Sequence, residues 1–137
     1  IYYDLLEEKP KLANKEHIAI IRLEQLYPLP RVQINDILKK YSNAKDLLWV
    51  QEEPFNMGAW TFIRSELNHV DIHIISRPAT GSPATGSSKF HHMQQRKIIE
   101  KLFDECGDCP RVGTDGKMAC IGNNWKAVLE EIKQNTK

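Results

Sequence analysis

The segment RPATGSPATGSS, residues 77–88, places Gly81 and Gly86 as G-x-x-x-x-G. An apolar run, DIHIIS, precedes it at 71–76, and a helical pattern beginning near KFHHMQQ follows. A strand, a glycine-bearing loop and a helix can cradle phosphate. A nucleotide-hydrolysing P-loop, however, needs Lys and then Ser or Thr directly after the second Gly. Here Ser87 and Ser88 follow Gly86, and Lys89 arrives two residues late. At roughly 3.3 Å per extended residue, that misplaces the ammonium by several ångströms. Pro83 also removes an N–H that a cradle would use. The segment is therefore not read as a P-loop. A weaker anion site survives: Gly86, Ser87 and Ser88 lead into a helix N-terminus, which favours negative charge. Arg77 at the strand end and His91 in the first helical turn add positive charge. Arg77, Ser87, Ser88 and His91 are the candidate residues for a phosphate-bearing effector. The more ordinary alternative, favoured by spacing alone, is a loop whose hydroxyls satisfy their own backbone.

WVQEEP, at 49–54, sets two carboxylates at the C-terminal end of a strand pattern, where α/β proteins usually bind ligands. Paired carboxylates can share acid–base work. Neighbours on a strand point to opposite faces, so Glu52 and Glu53 are not expected to share a proton, and a salt bridge or capping role is the simpler reading. The histidines stand at 17, 69, 73, 91 and 92. His91 and His92, adjacent on a helix, point about 100° apart and make a poor chelate. His73 reads as a packed core or interface residue. The cysteines run C-x2-C-x10-C at Cys106, Cys109 and Cys120. They would need one outside ligand to complete a zinc site, and free thiols are the alternative. An odd count argues against a closed disulfide framework and makes a reducing compartment the default.

These residues need elements to position them. Tyr2, Leu5 and Leu6 in YYDLLEE recur at near-helical spacing, and Pro10 ends that helix. HIAIIRL at 17–23 is a continuous apolar run suited to a strand buried on both faces. YPLP breaks the pattern. Ile34, Ile37, Leu38 and Tyr41 form an i, i+3, i+4, i+7 stripe, which predicts a helix over 31–41. DLLWV at 46–50 and DIHIIS at 71–76 read as further buried strands. Asn56 is placed to cap a helix over 57–68 that turns Trp60, Ile63 and Leu67 inward. Residues 89–103 form a helix with Ile98, Ile99, Leu102 and Phe103 inward. Alternating helices and apolar strands predict an α/β fold: a three-layer αβα arrangement around a mostly parallel sheet. The tail from 105 to 137 is turn-rich, with KMACIG as a possible strand and Trp125, Val128, Leu129 and Ile132 as a helical stripe.

The chain has 137 residues, which predicts one domain with a real core. Lys and Arg total 19 against 18 Asp and Glu, so no nucleic-acid partner is implied. No run is long and apolar enough to span a membrane. No signal peptide is visible. The chain opens at Ile1 in mid-pattern, with a helix that lacks a preceding strand, and a piece of a longer polypeptide is expected.

YYDLLEE, IAIIRLEQLYPLP, WVQEEPFNMGAW and SRPATGSPATGSSKFHHMQQRKII, in that order, resemble the C-terminal domain of the E1 component of 2-oxoglutarate dehydrogenase. The resemblance covers residues 1 to about 104; 105–137 match nothing placed and form a separate Cys-containing tail. It implies a transketolase C-terminal-like domain whose first strand lies upstream of Ile1, and the KMACIG strand is a candidate cover for the edge left behind. It further implies an enzyme that decarboxylates 2-oxoglutarate with thiamine diphosphate and Mg2+, held by upstream domains, and passes the succinyl group to a lipoyl carrier. No catalytic residue maps onto this chain. Implied partners are a second E1 and the E2 succinyltransferase, in bacterial cytoplasm or, less favoured, a mitochondrial matrix. The domain's implied work is to support the dimer, shape the cofactor cleft and sense an adenylate or acyl-CoA through Arg77, the 80–88 loop and His91. A stand-alone regulatory module is the competing reading. A pyruvate or branched-chain E1 β-subunit is a further one, which the QEEPxNMGAW and SPATGSxKxH words disfavour.

Overall fold

A computed structural model describes residues 1–11 and 17–103. Residues 1–103 form one compact unit. The expected tail strand, tail helix and zinc cysteines Cys106, Cys109 and Cys120 lie outside the described residues.

Helix α1, Tyr2–Glu8, leads into a single 3-10 turn at Lys9–Lys11. Helix α2 spans Arg31–Lys40, following the stripe that predicts it. Strand β1, Leu47–Pro54, runs four residues beyond DLLWV and takes in the two glutamates. Helix α3, Trp60–Glu66, connects it to strand β2, Ile72–Arg77. Helix α4, Ser88–Phe103, closes the unit. The two strands pair in parallel, from Leu47 opposite Ile72 to Val50 opposite Ile75. The register then slips, so that Pro54 faces Arg77. This is the parallel α/β class that the alternating pattern predicts.

Strand pleating sorts the side chains into two layers. Ile72 of β2 and Leu47 and Trp49 of β1 pack with Ile63 and Leu67 on the α3 side, where Ile34 of α2 also joins. Burying Ile63 fully contributes about 1.5–3 kcal/mol. Arg77 and Glu52 instead reach Gln95 of α4, on the face where Leu5, Ile98 and Phe103 are buried. Arg31 of α2 pairs with Glu66 at the end of α3, tying those two helices together.

Two expectations are corrected. Residues 17–23 are not a regular strand. Among the described residues no backbone ladder joins them to a neighbour. Their exposure alternates instead of vanishing: Ile18 and Ile20 are half-buried, Ala19 and Ile21 exposed. An apolar run becomes a sheet strand only where a second backbone supplies hydrogen bonds. The second correction concerns Asn56. Helix α3 starts at Trp60 behind Ala59, with no side-chain cap. The Asn56 amide is taken by Thr80: Nδ2 donates to the Thr80 carbonyl at 3.0 Å, and the Thr80 N–H donates to Oδ1 at 3.1 Å. Two bonds to the backbone of one residue satisfy the amide better than a single cap.

Candidate functional site: the Arg77 cleft

Arg77 ends β2, and only 8% of it is exposed. Strand alternation turns its side chain toward α4, where Nη2 donates to His91 Nδ1 at 3.3 Å and to Gln95 Oε1 at 3.1 Å. In that contact His91 accepts on Nδ1 and carries its proton on Nε2. The Nε of Arg77 is buried with no hydrogen-bond partner among the described residues, as is Gln94 Oε1. Both residues line a cleft of about 510 Å³ whose other walls include Pro54, Thr80, Pro83, Thr85 and Phe90. A buried N–H of a cation with nothing to donate to costs stability.

The cleft's rim is built locally. Gln51, 4% exposed, accepts from Trp49 Nε1 at 2.8 Å and donates to the carbonyls of Pro54 at 3.2 Å and Met57 at 2.7 Å. It pins the turn that follows β1. Asn56, within that turn, then holds the opposite rim through Thr80.

The four sequence candidates meet different ends. Arg77 and His91 are brought together. The Ser87 hydroxyl is turned to the helix itself, accepting from the Phe90 N–H at 3.4 Å, while the Ser87 carbonyl receives Thr85 Oγ1 at 3.0 Å. Ser88 opens α4, and among the described residues no hydrogen bond joins it to Arg77. The loop hydroxyls do satisfy their own backbone: the Ser82 N–H donates to Thr80 Oγ1 at 3.2 Å, and Ser82 Oγ donates to the Ala84 carbonyl at 2.9 Å. A Cβ at Gly81 or Gly86 would meet nothing within 4 Å, so neither glycine serves a close backbone approach here.

Glu52 and Glu53 separate as pleating requires. Glu53 is exposed, while Glu52 is half-buried on the α4 side. Glu52 Oε1 accepts from the Ile1 amino group at 2.8 Å and from Gln95 Nε2 at 2.5 Å. The Ile1 hydrogen bond is the largest influence holding its carboxyl below the ordinary glutamate range; burial opposes it, and Gln95 and the Arg77 charge assist. Gln95 Nε2 also donates to Asp4 Oδ2 at 2.8 Å. Gln95 therefore joins Arg77, Glu52 and Asp4. Sequence reasoning missed it because a neutral amide carries no charge signal. The available clue was its position one turn before Ile98 and Ile99, a polar residue on a buried stripe.

A sequence model of the family described as "2-oxoglutarate dehydrogenase C-terminal" matches residues 1–103. The chain is 42% identical over 111 residues, 75% of its length, to the 2-oxoglutarate dehydrogenase E1 component of Rickettsia felis. It is 41% identical over 104 residues, 72% of its length, to an oxoglutarate dehydrogenase of Buchnera aphidicola. A 2-oxoglutarate dehydrogenase E1 component of Rickettsia conorii is 41% identical over 107 residues, again 72% of the chain. In each comparison the chain spans 11% of the relative's length.

Proposed function

Because this chain belongs to the 2-oxoglutarate dehydrogenase C-terminal family, we propose that it serves as the terminal domain of a thiamine-diphosphate-dependent E1 enzyme acting on 2-oxoglutarate. The observation that carries this is the family match over 1–103, the stretch that folds as one unit. Transketolase C-terminal-like architecture, with strands completed from outside residues 1–103, is part of the same reading.

The domain's own work is structural and regulatory. Thiamine diphosphate bound through Mg2+ needs carboxylate or carbonyl oxygens free to take the metal. Among the described residues no three His, Cys, Asp or Glu side chains converge. Asp4 and Glu52 approach each other only as joint acceptors of one Gln95 amide nitrogen. The described residues do not fit that cofactor, and no chemical step is assigned to them. Tyr3, Tyr27 and Val32 stand 71%, 88% and 71% exposed, which suits a surface covered by a second E1 subunit. An E2 succinyltransferase is the further partner, and a bacterial cytoplasmic setting agrees with the bacterial relatives. Deleting this segment from the native polypeptide is expected to abolish dimers in sedimentation and 2-oxoglutarate-dependent activity together. Intact dimers with full activity would contradict the structural role.

The regulatory role rests on Arg77, a buried cation with an unpartnered Nε beside a cleft. A phosphate-bearing effector would take that N–H, with His91 at the rim. Phosphate titrated into the full chain should broaden or shift the Arg77 Nε–H resonance. Arg77→Met, if still folded by circular dichroism, should weaken binding at least tenfold, since a charged hydrogen bond is worth about 1.5–3 kcal/mol. Arg77→Lys should retain part of it. Binding equal in all three would rule out the site.

A further inference from the structure

The cleft is joined to helix α1 through one side chain. Gln95 accepts from Arg77 Nη2 on its oxygen and donates from its nitrogen to Glu52 and to Asp4, the latter within α1. Its amide has only one workable orientation. Reversed, it would set its oxygen against two carboxylates and its N–H groups against a guanidinium. We propose that Gln95 couples occupancy of the Arg77 cleft to the seating of α1 against α4. This rests on the anion-site reading given above.

The chemistry of the guanidinium makes the coupling direct. The N–H that shares an edge with Nε belongs to Nη2, and an oxyanion bound in the usual two-pronged way draws on both. Nη2 is the nitrogen already shared between His91 and Gln95. An anion at Nε therefore competes for the donor that orients Gln95. It also screens the positive charge that Glu52 faces. Once Gln95 turns, α1 loses its half-buried polar tie to α4. What remains is the burial of Leu5 and an exposed-side ion pair, Arg96 to Glu8 at 3.2 Å, and such pairs contribute little. By linkage, loosening Gln95 raises affinity for the anion.

The test is a two-dimensional amide NMR titration of the full chain with inorganic phosphate. Binding should move the Arg77 Nε–H, the Gln95 side-chain amide and the backbone amides of Asp4 and Leu5 together. In Gln95→Leu, phosphate should still move Arg77, and with tighter binding, but the Asp4 and Leu5 response should be lost. Asp4→Ala, which cuts the far end of the same tie, should tighten phosphate binding in the same direction as Gln95→Leu but by less, and lose the Leu5 response. Phosphate binding at Arg77 with Asp4 and Leu5 unmoved overturns the coupling and leaves the anion site standing. An α1 response that persists in both variants overturns it equally. No phosphate response at Arg77 overturns the anion site and the coupling with it.

Discussion

Gly58 holds φ at +71°, and a Cβ there would lie 3.0 Å from both Gln51 Nε2 and Glu53 Cβ. Only glycine adopts that backbone cheaply, and the neighbour it would strike is the amide that pins the turn. Gly58→Ala is expected to cost about 1–3 kcal/mol, read as a lowered midpoint in chemical denaturation; an unchanged midpoint would mean that the turn is not held as described. Glu52 gives a prediction with a defined sign. Its folded-state carboxyl titrates below the ordinary glutamate value of 4.5, chiefly through the Ile1 amino group, with Gln95 and Arg77 assisting against burial. The stability it contributes is therefore fully present above about that value, and is lost as pH falls through the lower folded-state one. Denaturation of the isolated 137-residue chain, in which Ile1 carries a free amino group, measured downward from pH 5 should show a slope that Glu52→Gln flattens. A slope identical in both proteins would assign the acid sensitivity elsewhere.

At the scale of elements, the cleft depends on two segments meeting across one amide. The Asn56–Thr80 pair is exposed, so its two hydrogen bonds contribute about 0.5–1.5 kcal/mol each. Asn56→Ala should lower the denaturation midpoint modestly and speed hydrogen exchange at the Thr80 amide roughly tenfold, as about 1.4 kcal/mol of lost protection implies. Protection unchanged at Thr80 would show that the loop is held by other means. Much of this level was legible in the sequence. α2 and α4 follow from apolar stripes, and β1 and β2 from short Ile- and Leu-rich runs bounded by polar turns. Residues 17–23 were not legible, because an apolar run does not disclose whether a second backbone lies beside it. Asn56 was misread for a related reason: the cap motif is local, whereas its partner lies 24 residues away. Arg77 was visible as a cation ending a strand. Gln51 and Gln95, the two amides that orient the site, were not, since neutral polar side chains carry neither periodicity nor charge.

At the scale of the molecule, residues 1–103 form a two-stranded parallel sheet with helices on both faces, and among the described residues the buried cation, Arg77, stands at a strand's C-terminal end. That position is where α/β folds gather ligands. The same residues carry the family match, and the relatives it leads to are about nine times longer than the region they share with this chain. Among the described residues no three His, Cys, Asp or Glu side chains converge, and the role proposed for this domain is to hold subunits and to sense an effector. The most direct test is to isolate the native polypeptide with an antibody raised to residues 77–92, then record its mass and its 2-oxoglutarate-dependent activity together. The E1 reading predicts a polypeptide of roughly 100 kDa, several domains in series, with that activity in the same fraction. A product of only these 137 residues, without activity, would contradict it.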